Sequence, residues 1–217
     1  MYMRKKPTQI TAEKRDIDPS FKKYFKIETE IVYLSNVQVQ ERVEARFERS
    51  WRRFYNKATH TISESRQEQF ARFFRRLERD GCDERFTRRV DICFINPVIG
   101  YGVFAKENIP PYSTLNHYAG VLMLSRDIET SHNSTFSFND FKAFSIDAMK
   151  HGNWCRFMNH CPEKQPNNNT ISWEYYHNSG PKIVFTSGSR GIKRGEQLLY
   201  SYGDNYWGMG SQTYIPL

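Results

Sequence analysis

Short apolar runs, separated by turn-forming residues, fill the chain beyond Val90 and limit the fold of that part to a β-rich one. Runs of this kind, bounded by Gly, Pro and Asn, are typical of strands. They are VDICFI, VIGYGVFA, STLNHYAGVLM, FKAFSIDA, KIVFTSGSR and QLLYSYG. A helical spacing recurs at best over residues 154–159. We therefore predict an α+β chain with a mainly β domain of short strands over residues 91–209, followed by a short C-terminal tail at 210–217.

The first 90 residues differ from the rest in both charge and periodicity. They contain 22 Lys or Arg and 14 Asp or Glu, so they hold the whole formal net charge of +8. Apolar residues recur at spacings of three and four over 37–57 and 63–81, which predicts two amphipathic helices, the second capped by Ser63. In residues 1–30, charged clusters alternate with prolines and isolated aromatic residues, so we expect a loose arm there. We therefore expect residues 1–90 to form a basic, mainly helical N-terminal module.

Arginines cover the outer sides of both predicted helices. Because glutamates are interleaved with them, the pattern is compatible with a solvated surface and equally with a contact surface for DNA, chromatin or an acidic partner. The aromatic faces of the same helices suit packing within the chain or a homodimer interface. The arginines are Arg52, Arg53, Arg66, Arg72, Arg75, Arg76 and Arg79.

Several classes of protein are excluded by features that the sequence lacks. No apolar run reaches the length of about 18 residues that a membrane-spanning helix needs, so we expect no membrane contact. The basic N-terminus is not followed by the apolar stretch of a signal peptide. The four cysteines form no CxxC pair, so we expect no zinc finger and no disulfide scaffold.

Two short motifs offer groups that suit ligand binding. Gly100, Tyr101 and Gly102 form a segment whose backbone can approach a ligand closely, although taken alone the motif favours a plain turn. Asn159 and His160 stand side by side and offer a carboxamide and an imidazole. Taken alone, this second motif favours a histidine that is simply hydrogen-bonded in the core.

A third motif, GEQLLYSYG, carries two tyrosines. Tyr200 and Tyr202 are two residues apart, so a strand presents both phenols to the same side. Aromatic rings with hydroxyl groups suit a cationic or amine guest. Tyrosine pairs that pack on a neighbouring strand are common as well, so each of the three motifs is ambiguous by itself.

Taken together and in this order, the motifs resemble the SET-domain family of protein lysine methyltransferases. IGYGVFA, HYAG, RFMNHC and GEQLLYSYG stand in the order of that family's four motifs, over about residues 91–207. The resemblance implies a SET fold in which the Asn-His segment and the tyrosine segment are threaded as a pseudoknot. It also implies an S-adenosylmethionine-dependent lysine N-methyltransferase that needs no metal and acts on histones or another basic chromatin-associated protein.

The compact length and the YGDNYW segment are similar to small bacterial SET proteins that act as effectors on host chromatin. This narrower resemblance implies a bacterial effector, made in the bacterial cytoplasm and, once exported, active in a host nucleus. The substrate lysine and the number of methyl groups that it receives stay open.

The resemblance also implies roles for individual residues. The cofactor side is expected to comprise Gly100, Tyr101, Gly102, Arg156, Asn159, His160, Tyr202 and Trp207. The lysine channel is expected to comprise Tyr118, Phe136, Tyr200 and Tyr206. Tyr202 is the expected catalytic residue, with its hydroxyl near the methyl group and the amine, while Tyr200 is expected to limit the number of methyl groups. Glu196 is expected to be structural.

The sequence also departs from the family pattern. Cys161 follows the Asn-His pair where Ser is common, and Phe136 takes the position of a second channel tyrosine. Three inserted residues displace Asn167 from its usual spacing. These changes leave open an alternative, in which the chain is a catalytically weak SET-like module that binds protein or nucleic acid.

Overall fold

The computed structural model describes residues 19–27, 29–58, 62–80, 84–128 and 134–203. Predictions for the arm before residue 19, for Tyr206 and Trp207, and for the tail at 210–217 lie outside these residues. The prediction of a loose arm is wrong for its described part, because Pro19–Phe25 forms a helix that buries Phe21 and Phe25 in the main core. Within them, no helix is long and apolar enough to cross a membrane, and no group of three or more His, Cys, Asp or Glu side chains could hold a metal ion. The helices are α1 (Pro19–Phe25), α2 (Glu44–Tyr55), α3 (Glu64–Asp80) and α4 (Glu84–Thr87), with 3-10 turns at Glu41–Val43, Ser125–Asp127 and Trp154–Phe157.

Most of the strands are short, as the sequence predicts. Each of the six apolar runs contains at least one strand, whereas the long strand β11 and the short strands β1, β2, β7, β9 and β10 lie outside those runs. The strands in the described part of the chain are β1 (Val32–Tyr33), β2 (Gln38–Val39), β3 (Val90–Asn96), β4 (Gly100–Ala105), β5 (Thr114–His117), β6 (Val121–Leu124), β7 (Thr135–Ser137), β8 (Phe144–Asp147), β9 (His151–Gly152), β10 (Asn159–His160), β11 (Thr170–His177), β12 (Gly180–Ser187) and β13 (Leu199–Tyr200).

The two long helices form where aromatic residues recur on one face. Helix α3 follows Ser63 as predicted, and the carbonyl of Ser63 accepts from the N–H groups of Arg66 and Gln67. Helix α2 begins later than the predicted start at residue 37, because Gln38–Val39 instead pairs in parallel with β6. The buried residues of the two helices are Phe47 and Trp51 in α2, and Phe70, Phe73, Phe74 and Leu77 in α3.

Short strands from both sides of Val90 pair with one another. The sheets have the orders β2-β6-β8-β7, β11-β12-β5, β1-β9, β3-β4 and β10-β13. In two of them a strand of the first 90 residues, β1 or β2, runs parallel to a strand of the second half. The division into units at 1–90 and 91–209 stays a prediction, and the structure shows that hydrogen bonds join the two parts.

The sheet β11-β12-β5 separates two apolar clusters. Strand β12 is buried along its whole length, and its side chains alternate between the two faces. Ile183 and Phe185 belong to the main core with Phe47 and Trp51 of α2, whereas Val184 belongs to the second cluster with α3. The aromatic residues of both helices, apart from the exposed Tyr55, pack within the chain. This packing does not test the homodimer, which stays a prediction.

Candidate active site

The tyrosine segment is threaded between the two ends of an earlier connection. Strand β13 pairs in parallel with β10, which places Asn159 opposite Leu199. The N–H of Cys161 donates to the carbonyl of Tyr200 (3.0 Å), and the N–H of Asn169 donates to the carbonyl of Leu199 (3.2 Å). Successive carbonyls of an extended segment point to opposite sides. The segment therefore lies between Cys161 and Asn169, in the threaded arrangement that the family resemblance implied.

Asn169 fixes this crossing, and the sequence did not identify it as a site residue. Its Nδ2 donates to the carbonyl of Gln197 (2.8 Å), and its Oδ1 accepts from the N–H of Leu199 (3.0 Å). One buried carboxamide thus satisfies an acceptor and a donor of the threaded segment. The sequence signal is the run of asparagines at 167–169, which by itself predicts only a turn. Asn167, the position aligned with the family motif, is exposed.

The glycines of β4 pack against the Asn-His segment. Asn159 Nδ2 donates to the carbonyl of Tyr101 (3.0 Å). A Cβ on Gly102 would lie only 2.5 Å from Gln197 Nε2 and 3.2 Å from Asn159 Nδ2, so three segments meet here because this residue has no side chain. Gly100 adopts a left-handed φ of +76° with open space beside it. The structure therefore brings the predicted glycine motif and Asn159 together.

Tyr202 is held by two hydrogen bonds to the same segment. Its N–H donates to His160 Nδ1 (3.1 Å), and its hydroxyl donates to the carbonyl of the buried Met158 (2.6 Å). The Tyr202 ring centroid lies 5.2 Å from that of His160 and 4.8 Å from that of Tyr200. The two phenol rings are neighbours, as predicted, although strand β13 already ends at Tyr200. The hydroxyl of Tyr202 is thus the donor in its bond to Met158.

The imidazole of His160 is neutral in this arrangement. Burial lowers the pKa of His160 below its ordinary value. A ring nitrogen that accepts a hydrogen bond carries no proton, so the proton of the neutral ring is on Nε2. The bond between Tyr202 and His160 therefore depends on this protonation state.

Aromatic rings surround the Tyr200 side of the site. The Phe136 ring is stacked with the Tyr200 ring at 6.3 Å and lies 5.6 Å from the Tyr118 ring. Phe185 lies 4.9 Å from Tyr200, and the sequence marked it only as part of an apolar strand. Tyr118 and Tyr200 are 3% and 6% exposed. Three predicted channel residues are thus brought together, and the fourth, Tyr206, lies outside the described residues.

Arg156 is engaged by the protein itself. Its Nε donates to the carbonyl of Ala148 (2.7 Å), and its Nη2 donates to Ser134 Oγ (2.8 Å). The guanidinium also lies over the ring of Phe157 at 4.6 Å, and burial lowers its pKa. These contacts make Arg156 a bracket between loops. Its predicted contact with a cofactor stays a prediction that these bonds do not support.

Glu196 has a structural position at the start of the tyrosine segment. Its carboxylate accepts from Arg190 Nη1 (2.8 Å) and from the N–H of Lys193 (3.0 Å). Burial opposes the charge of Glu196, but these donors lower the pKa of its carboxyl. The contacts hold the turn from which the threaded segment continues.

Comparisons with known proteins bear on this part of the chain. Residues 100–203 match the family model described as the SET domain. Histone-lysine N-methyltransferase EHMT1 of Homo sapiens is 30% identical over 113 residues, which cover 50% of this chain and 9% of that protein. Histone-lysine N-methyltransferase EZH2 of Chaetomium thermophilum is 29% identical over 120 residues, which cover 49% of this chain and 8% of that protein. The chain therefore spans less than a tenth of the length of these relatives.

One solved structure is similar in fold over most of the chain. It is the crystal structure of ATXR5 in complex with a mono-methylated histone H3.1, with a TM-score of 0.64 at 17% identity. The match covers 87% of this chain and 86% of that chain. At this identity the likeness concerns the fold alone, and it confirms the predicted α+β SET fold.

We expect the substitution Asn169→Ala to destabilise the threaded segment. It leaves the carbonyl of Gln197 and the N–H of Leu199 without their partner, and each such buried group costs about 1–3 kcal/mol. Chemical denaturation measures the loss in free energy of unfolding. The matched control is Asn167→Ala, which should change that free energy by no more than about 0.5 kcal/mol. Equally small effects of both substitutions would contradict the role assigned to Asn169.

We also expect the bond between Tyr202 and His160 to weaken in mild acid. The pKa of His160 is lowered in the folded chain, whereas in the unfolded chain it is about 6.5. Protons therefore bind the unfolded chain more readily. The stabilisation of the folded chain by neutral His160 is complete above about pH 6.5, and it is lost as the pH falls towards the pKa of His160 in the folded chain.

The variant His160→Asn tests this pH dependence. Its amide oxygen keeps an acceptor near the position of Nδ1 but does not titrate. The difference in free energy of unfolding between about pH 7.5 and about pH 5.5 should be smaller in the variant than in the wild type. The same difference in both proteins would rule out His160 as the titrating group.

Proposed function

Since the chain carries a SET domain over residues 100–203, we propose that it is an S-adenosylmethionine-dependent protein lysine N-methyltransferase. One observation carries the proposal. The threaded segment holds Tyr202 beside Tyr200 and against the Asn-His pair, which in turn packs on the glycines of β4. A methyl donor on the glycine side and a lysine on the aromatic side would meet at these two tyrosines.

We propose histones as the substrate class. Two relatives over the SET region are named histone-lysine N-methyltransferases, and the solved structure of similar fold contains a histone. The net positive charge of residues 1–90 supports a contact with chromatin, because DNA is anionic. Mass spectrometry of histones and nucleosomes incubated with the protein and S-adenosylmethionine tests the proposal. The absence of any methylated lysine, with a folded protein, would refute it.

The residues around β4 fit S-adenosylmethionine. Gly100 leaves open space beside the backbone, and Asn159 uses its Nδ2 on Tyr101, so its Oδ1 is left to accept from a ligand. Gln197 Nε2 is a buried donor without a partner in the described part of the chain. When bound, the cofactor supplies an electrophilic methyl group on a positively charged sulfur. Trp207, outside the described residues, is proposed to complete this side.

The proposed role of Tyr202 is to hold the reacting amine. Its hydroxyl proton is bound by the carbonyl of Met158, so its oxygen acts as an acceptor towards the lysine nitrogen. An amine that is fixed in this way is already oriented for attack on the methyl group. Such positioning accounts for a large part of many enzymatic rate enhancements. Tyr202 thereby orients the nucleophile without itself exchanging a proton.

The aromatic wall prepares the lysine for attack. A lysine in water has a pKa of about 10.4 and is protonated at neutral pH. The rings of Phe136, Phe185 and Tyr200 are packed within 6.3 Å of one another, so an amine among them loses most of its water. Burial of this kind lowers the pKa of a lysine and favours its neutral, nucleophilic form.

A second candidate is a catalytically weak SET-like module that binds protein or nucleic acid. Phe136 favours it, because this residue places a ring without a hydroxyl against Tyr118 and Tyr200, at the expected position of a second channel tyrosine. Binding of S-adenosylmethionine in calorimetry without methyl transfer to histones would favour this candidate. Transfer would exclude it.

Export to a host nucleus is a further proposal. It rests on the similarity of the YGDNYW segment to small bacterial SET effectors. A translocation reporter fused to the chain, followed by microscopy of infected cells, tests it. A reporter that stays in the bacterium under conditions that export a known effector would refute it.

We expect Tyr202→Phe to lower turnover by about 10²–10³, since a positioned polar group of this kind has that effect in other enzymes. The substitution also leaves the carbonyl of Met158 unpaired, so stability should fall by about 1–3 kcal/mol. Tyr55→Phe is the control, because Tyr55 is exposed on α2 and its ring lies beside that of Trp51. Turnover is compared where thermal melts show every protein folded. If Tyr202→Phe has the turnover of the wild type, the Tyr202 hydroxyl does not position the lysine amine.

We expect Tyr200→Phe to change the product instead of the rate. Tyr200 contacts Phe136 and Phe185, and removal of its hydroxyl makes room in the channel for a methylated amine to turn and react again. Mass spectrometry of one histone peptide should then show more di- and trimethylated product at similar turnover. An unchanged product distribution would contradict the assignment.

A further inference from the structure

A groove with five arginines among its lining residues lies between α3, α4 and the start of β5. It encloses about 630 Å³. The rings of Phe73 and Phe86, 4.8 Å apart, and the carboxylate of Glu107 also line it. We call this feature the arginine groove, and its arginines are Arg72, Arg76, Arg85, Arg88 and Arg89.

Two of these arginines are paired with carboxylates. Arg89 Nε lies 2.6 Å from Glu107 Oε1, and Arg88 Nη2 lies 2.7 Å from Glu84 Oε1. Arg88 and both carboxylates reach well into solvent, where ion pairs contribute little and exchange readily. These pairs therefore reduce the positive charge of the arginine groove without closing it to a stronger anion.

The other three arginines carry the excess charge. Arg72, Arg76 and Arg85 are exposed. Arg72 lies 3.8 Å from Glu68, which also binds Arg75 more closely at 2.8 Å. Arg76 and Arg85 have no ion pair within the residues that the structure describes. The pKa of the Asp80 carboxyl is lowered by its hydrogen bond to Arg79 and also by the charges of Arg76 and Arg85, so this carboxylate offsets part of their charge. The planar guanidinium group of arginine matches the paired oxygens of a phosphate.

We propose that the arginine groove binds the phosphodiester backbone of duplex DNA. The argument is one of charge density. Duplex DNA carries one negative charge for about every 1.7 Å of its axis, whereas an extended acidic peptide carries at most one for about every 3.3 Å. Five arginines around one groove therefore match DNA better than a peptide. Two of them, Arg72 and Arg76, lie one helical turn apart on α3, so their positive charges are aligned along the helix axis.

The arginine groove is joined to the aromatic side of the site by β5. Thr114, the first residue of β5, lines the groove, and Tyr118 follows directly after the strand. An extended chain advances about 3.3 Å per residue, so these two residues are about 13 Å apart. DNA in the groove would thus hold a chromatin-bound lysine near the channel. This last step rests on the proposed methyltransferase function, whereas the contact with DNA does not.

Anisotropy of a labelled DNA duplex, titrated at several salt concentrations, tests the contact. The groove variant Arg72→Gln/Arg76→Gln/Arg85→Gln should bind at least about tenfold more weakly than the wild type. The slope of log affinity against log salt should become shallower by about 3, because each lost phosphate contact removes about one unit. Circular dichroism and thermal melts confirm that the variant is folded.

The matched control is Arg46→Gln/Arg49→Gln/Arg52→Gln on α2. These arginines are also exposed, so the control loses the same charge at a distant surface. It should keep most of the affinity and the slope. Equal losses in both variants, or no binding of DNA by the wild type, would overturn the proposal. A phosphorylated peptide that binds the groove more tightly than DNA would overturn it too.

The methyltransferase assay separates this inference from the proposed function. The groove variant should methylate free histones at the rate of the wild type and nucleosomes much more slowly. Equal rates of wild type and groove variant on nucleosomes would remove the link between the groove and the channel. A protein that binds DNA through the groove but methylates neither substrate would refute the proposed function and leave the DNA site standing.

Discussion

The hydrogen bonds between Asn169 and the threaded segment are the constraint on which the site depends. They hold Gln197 and Leu199 in place on one side, while Cys161 binds the same segment from the other. Only in this position can Tyr202 reach both Met158 and the neighbouring imidazole. The groups assigned to catalysis thus come from distant parts of the chain, and a buried carboxamide with no assigned chemical role keeps them together.

The N-terminal helices support the same region from a distance. Strand β12 places Phe185 against Tyr200 on one face and Val184 against the cluster of α3 on the other. Helix α2 contributes Phe47 to the core that this first face covers. The aromatic wall of the channel is therefore backed by two layers of packing. A large part of that packing comes from α2 and α3, although the sequence pattern suggested that residues 1–90 form a separate module.

The sequence predicted features that depend on local patterns and missed those that depend on the whole fold. Helix α3 and the longer apolar strands carry their periodicity within one segment, so they could be predicted. Strand β11 mixes Trp and Tyr with Ser172 and Glu174, which hides its period. Strands of two residues, such as β1 and β10, exist only because a partner lies beside them. The role of Asn169 was hidden for the same reason, since its partners are about 30 residues further along the chain.

The threading also sets an order for events during translation. Residues 161–169 leave the ribosome well before residues 197–200, so the connection stays an open loop until the last segment of the site has been made. Contacts between distant parts of a chain form late, because the loop between them must first close. In a nascent chain the glycines and the Asn-His pair can thus come together before Tyr202 has been added. The candidate site is therefore complete only after residues 197–202 have been threaded.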